Sequence, residues 1–131
     1  MNLEKIFKNL ILIYPVLIVL ILSLITYIDW DIPVESYAET TTIETITLLL
    51  FSIWLINLYF LYKFKPIGKT LFIPLSIILL IYENTIPYES LVMTPGYEYI
   101  DSLIVYIEGI LTGMIIALLY FTNIKDKFKK T

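Results

Sequence analysis

The chain has 131 residues, 59% of them hydrophobic and 16% charged, with a formal charge of −3 and a mean hydropathy of +0.85, values typical of lipid-embedded chains rather than water-soluble domains. Cysteine and histidine are absent, which excludes disulfides, haem ligation by His or Cys, His-based zinc sites and histidine acid/base catalysis. The negative balance and the lack of a basic stripe argue against a nucleic-acid partner.

The first apolar block, 6–28, carries no charge between Lys8 and Asp29 and is long enough to span a bilayer as a helix. It exceeds the h-region of a signal peptide and no small-x-small cleavage site follows, so it is expected to be retained. Pro15 predicts a mild kink. An acidic connection with Trp30 and Tyr37 leads to a second helix over 43–62. The turn Lys63-Phe64-Lys65-Pro66-Ile67-Gly68-Lys69 connects it to a third helix over 67–86, itself carrying Pro74. Only Thr70 to Tyr82 of that helix is free of charge, about 20 Å of helix, so Lys69 must snorkel and the helix must continue past Glu83 to make a full span. A loop with a turn at Pro95-Gly96 precedes a fourth helix over 102–122, and the tail Lys125 to Lys130 is basic.

These elements predict an all-α, integral membrane four-helix bundle in up-down-up-down order, a single transmembrane domain covering 1–131. All nine basic residues are lysine, namely Lys5, Lys8, Lys63, Lys65, Lys69, Lys125, Lys127, Lys129 and Lys130, and all fall on one side of a four-pass topology. By the positive-inside rule both termini are cytoplasmic and the chain belongs to the cell membrane. Of the acids, only Glu4 and Asp126 share that side. Absence of Arg, Gln, His and Cys beside abundant Ile, Tyr and Lys fits an AT-rich genome and a thermophile, including an archaeon.

Four carboxylates form the candidate site. Glu108 lies inside the fourth helix, where an ionised acid costs on the order of 2–3 kcal/mol. Counted upward from the lysines at ~1.5 Å per residue, Glu108, Glu44 and Glu83 fall near one level, and Asp101 shares a helical face with Glu108. One reading is a site for a hard cation or a shared proton. The other is ragged helix ends at Glu44 and Glu83, with Glu108 protonated or bonded to a Tyr or Thr. No base on that side can neutralise them, so protons, a metal or a partner subunit must.

Gly109, Gly113 and Ala117 line one face of the fourth helix and form a packing motif of small residues, for a helix of this chain or of another subunit. Asn57 is expected to bond across to another helix, and the tyrosines and tryptophans to form an interfacial belt. No cofactor pocket and no paired nucleophile and base are visible, so no catalytic activity is expected.

The stretch Glu39-Thr-Thr-Thr-Ile43-Glu44-Thr-Ile46-Thr47-Leu-Leu49-Leu50-Phe51 resembles an opening, E-x-x-x-[VI]-E-x-[LI]-T-x-L-L-F, of an uncharacterised group of prokaryotic multi-pass membrane proteins. A later Glu-Glu pair of that group is matched by Glu83 followed by Asn84. The resemblance implies a multi-pass fold and draws attention to Glu39, Glu44 and Glu83; it implies no activity.

Two functions fit the sequence. The first is a small non-catalytic subunit of a larger membrane complex, such as a respiratory or oxidase assembly, with the lipid bilayer and other membrane subunits as partners. The second is a homo-oligomeric proton or cation transporter or channel using the outer carboxylates. A phage lysis or bacteriocin-immunity protein has only its size in its favour.

Overall fold

Asn2 sets the start of the first helix: its side-chain oxygen accepts from the Lys5 backbone N–H at 3.2 Å, an N-cap that satisfies one of the donors every helix leaves open. This cap starts α1 at Leu3, three residues earlier than expected. The computed structural model describes residues 2–28, 40–85 and 97–129, the side chains at 22, 24–28, 40–44, 83–85 and 97–104 excepted. The helices are α1 (Leu3–Ile28), α2 (Thr40–Tyr62), α3 (Pro66–Thr85) and α4 (Tyr97–Phe121), followed by a short 3-10 tail helix, Asn123–Phe128. The expected connections, with Trp30, Tyr37, Pro87 and the Pro95-Gly96 turn, lie outside the described residues, as does Ile86 at the expected end of the third helix. Both α1 and α3 run through their internal prolines, Pro15 and Pro74.

Short contacts fix the order of the helices. The Tyr14 ring meets the Trp54 ring edge-on at 4.8 Å and its hydroxyl shares a 2.8 Å hydrogen bond with Thr112 Oγ1, so α1 lies between α2 and α4. Lys8 sits over the Phe64 ring at 5.1 Å, so α1 rises as α2 descends. The Thr47 and Tyr82 hydroxyls are 2.8 Å apart, which pairs the outer ends of α2 and α3, and Tyr120 bonds the Lys69 carbonyl at 3.2 Å, which joins α4 to the start of α3. The result is an all-α, antiparallel arrangement of four helices, with its most extensive contact between α2 and α3.

That contact depends on a tight turn. α2 ends in a Schellman motif: Lys65 N–H donates to Phe60 O at 2.8 Å and Phe64 N–H to Leu61 O at 2.9 Å, with Phe64 in the left-handed region at φ 54°. Glycine is the usual occupant, because a side chain there is strained. Phe64 is held by its ring, which stacks on Phe7 at 5.8 Å and meets Phe128 edge-on at 5.3 Å. Pro66 then starts α3 where its missing N–H costs nothing. Two residues on, Gly68 lets the helices close: a Cβ there would lie 2.8 Å from Leu61 N and Phe60 Cβ.

The core gathers Phe7, Ile11 and Tyr14 of α1, Trp54, Leu58 and Leu61 of α2, Phe72 and Leu75 of α3, and Leu111, Ile115 and Leu119 of α4. The tail is folded rather than a free basic extension. Thr122 caps it by accepting from Ile124 N–H at 3.2 Å, and Ile124 and Phe128 are buried in the same core.

Every helix also turns large apolar side chains outward, among them Val16 and Leu20 of α1, Leu48 and Ile56 of α2, Ile78 and Leu80 of α3, and Tyr106 and Ile110 of α4. Among the described residues one helical stretch, Thr45–Tyr62, is long and apolar enough to cross a membrane, with mean hydropathy 1.8 over 18 residues and 22% of it buried. Pro66–Tyr82 and Val105–Phe121 are apolar but shorter.

Candidate functional site

Helix rise gives the backbone positions of the four candidate carboxylates relative to the contacts between helices. Tyr14 ties Thr112 and Trp54 together. Glu108 is four residues outward of Thr112, about 6 Å, whereas Glu44 is ten residues outward of Trp54, about 15 Å, and Asp101 is eleven outward of Thr112, about 16 Å. Glu83 follows Tyr82, which bonds Thr47 three residues inward of Glu44. Backbone positions therefore put Glu44, Glu83 and Asp101 near the outer end, with Glu108 roughly 9 Å deeper. α4 ends at Phe121, and the tail helix folds back toward α1, so its residues add no length to the bundle. The side chains of Glu44, Glu83 and Asp101 lie outside the described residues. Among the described residues no group of three or more acids could hold a metal ion.

Glu108 itself falls on the inward stripe of α4 that continues through Leu111, Ile115 and Leu119, and it is half-buried. One turn inward on the same helix is Thr112, bonded to Tyr14. Further toward the lysine end lies Asn57, 2% exposed, and the expected cross-helix bond is not seen: among the described residues neither side-chain polar atom has a partner. Hydroxyls elsewhere on the helices bond their own backbones. Ser52 donates to Leu48 O at 2.7 Å, Ser76 to Phe72 O at 2.8 Å and Thr122 to Leu118 O at 2.7 Å. Each hydroxyl is spent on its own helix, the usual habit of Ser and Thr in apolar helices.

Gly109, Gly113 and Ala117 point the other way. All three are exposed, and a Cβ added at Gly109 or Gly113 would meet nothing within 4 Å. The stripe is flanked by Tyr106, Ile110 and Met114, exposed by 71%, 63% and 46%. The small-residue face thus seats no other described helix of this chain. The glycine at which two helices of the chain do meet is Gly68, which sequence reasoning took only as a turn marker; its position two residues after Pro66 was the available signal.

The opposite end of the bundle is built from lysines. Glu4 binds Lys8 at 3.0 Å and Lys127 at 3.3 Å, joining α1 to the tail helix. Hydrogen bonds from Lys8 and Lys127 hold its carboxyl below the ordinary glutamate value. Asp126 is likewise held low, first by its hydrogen bond with Lys129 at 2.9 Å. Lys69 lies over the Tyr120 ring at 4.8 Å. Between the start of α3 and the tail helix is an open cleft of about 490 Å³, lined by Pro66, Lys69, Thr70, Lys125, Asp126, Phe128 and Lys129.

Comparison of the chain with protein families, with curated proteins and with solved structures finds no significant match.

Proposed function

We propose that this protein is a membrane-embedded, non-catalytic subunit of a larger membrane assembly, such as a respiratory or oxidase complex, held to its partner through the outer face of α4. Four features support insertion with both termini in the cytoplasm. Apolar side chains face outward on all four helices; the 18-residue stretch of α2 is mostly unburied; lysines gather at one end; and nearly all the described residues are helical. The observation that carries the docking reading is the open Gly109-x-x-x-Gly113-x-x-x-Ala117 face. In lipid, helices associate through close backbone approach and van der Waals packing, which such a face permits. The test is extraction of native membranes in mild detergent and separation on a native gel. The wild-type chain is expected in a larger assembly of fixed stoichiometry, and Gly113→Leu in a lone species of the same helical content. Wild-type chain migrating alone would refute the proposal.

One observation favours a second reading, a homo-oligomeric proton or cation path. Glu108, the Thr112–Tyr14 pair and the unpartnered Asn57 follow one another down the interior. This reading predicts that Glu108→Gln abolishes ion flux in vesicles containing the purified chain; unchanged flux would exclude it.

A further inference from the structure

We infer that the cleft at the lysine end is a binding site for a phosphate group. Its lining sets three ammonium groups, Lys69, Lys125 and Lys129, against one carboxylate, Asp126, an excess of two positive charges. Lys129 is paired with Asp126 at 2.9 Å; Lys69 and Lys125 lower the Asp126 carboxyl from farther off and make no ion pair among the described residues. Lys69 is kept at the cleft by its position over the Tyr120 ring, and α3 begins there, adding the partial positive charge of a helix N-terminus on the side that Pro66 lines. The Thr70 hydroxyl donates to Pro66 O at 3.1 Å and is able to turn and donate to an anion instead. A cleft of about 490 Å³ accommodates a phosphate with a small polar substituent.

Asp126 tunes what the site takes. Held ionised by Lys129, it leaves room for one or two anionic charges before repulsion grows, which suits a phosphodiester or phosphomonoester better than a polyphosphate. Ile67 and Leu71, exposed by 52% and 44%, adjoin the lining residues Pro66 and Thr70 in sequence. The ligand is therefore a phosphate carried either on a lipid headgroup at the inner leaflet or on a small soluble molecule. Only the lipid source depends on the membrane reading above.

The full chain, purified in mild detergent, is titrated with two probes: dihexanoyl phosphatidylglycerol, followed by native mass spectrometry, and glycerol 3-phosphate, followed by amide shifts of Thr70, Lys69 and Lys125. Binding of the lipid alone assigns the site to a headgroup, and binding of both assigns it to phosphate esters in general; binding of glycerol 3-phosphate alone assigns it to a soluble ester. Lys125→Gln, at an exposed position without an ion pair, is expected to weaken binding roughly fivefold, and Lys5→Gln, with the same charge change away from the cleft, to leave it within about twofold. Neither probe binding, or equal losses in both variants, would overturn the inference.

Discussion

The Phe64 ring stacks on Phe7 at 5.8 Å while its own backbone is held at φ 54°. One residue thus carries both the strain of the α2–α3 turn and the contact that joins it to α1. Glycine and alanine separate the two effects. Both lose the ring packing, which for the half-buried Phe64 is less than the about 3–5 kcal/mol of a buried Phe, but only Phe64→Gly also relieves the left-handed backbone, worth about 1–2 kcal/mol. Chemical denaturation should rank wild type above Phe64→Gly and Phe64→Gly above Phe64→Ala. The reverse order of the two variants would mean that the turn is unstrained.

The three described glycines should respond oppositely to alanine. Gly68→Ala places a Cβ 2.8 Å from α2 backbone and should destabilise the isolated chain by about 1–3 kcal/mol. Gly109→Ala and Gly113→Ala meet open space, so each should leave it unchanged or up to about 1 kcal/mol more stable through helix propensity. Thermal unfolding of the three variants in detergent is the check.

Acidification should release the tail helix from α1. The Glu4 carboxyl is held low by Lys8 and Lys127, so its contribution is complete above the unfolded-state value near 4.5 and is lost as pH falls through the lowered folded-state value. Protection of Ile124 and Phe128 amides, corrected for intrinsic exchange, should fall across that acidic window. Glu4→Gln should lower protection at neutral pH and flatten its pH dependence.

The interior polar groups give a further pair of expectations. Tyr14→Phe and Thr112→Val each break the 2.8 Å hydroxyl pair, and their double-mutant cycle should return a coupling of about 0.6 kcal/mol, as for interhelical bonds in membranes. Asn57→Leu removes two buried, unpartnered polar atoms and should stabilise the chain by about 1–3 kcal/mol. A loss of stability would show that Asn57 is satisfied by something other than this chain's own groups.

Helix number and order were legible because apolar runs and lysine turns repeat along the chain, and both follow from local composition. Helical periodicity puts Glu108 and the Gly109–Gly113 stripe on different faces of α4, but not which of the two faces turns inward. Three things were not legible. The tail reads as a solvated lysine run, since its anchors are only Ile124 and Phe128, too few to form a period. Phe64 gives no sign of a left-handed backbone, because that conformation is imposed by the aromatic cluster around it. Asn57 reads as an interhelical bond, but composition alone does not place a partner within reach of it, and among the described residues none is.

Photo-crosslinking in native membranes, from a probe residue replacing Met114 beside the small-residue stripe and a control replacing Leu12 on α1, tests the central claim most directly. Both positions are about half exposed. The account predicts one discrete protein adduct from position 114, lost in Gly113→Leu, and only lipid adducts from position 12. Lipid adducts from both positions, or an adduct at twice the chain's 15.3 kDa, would contradict the accessory-subunit assignment.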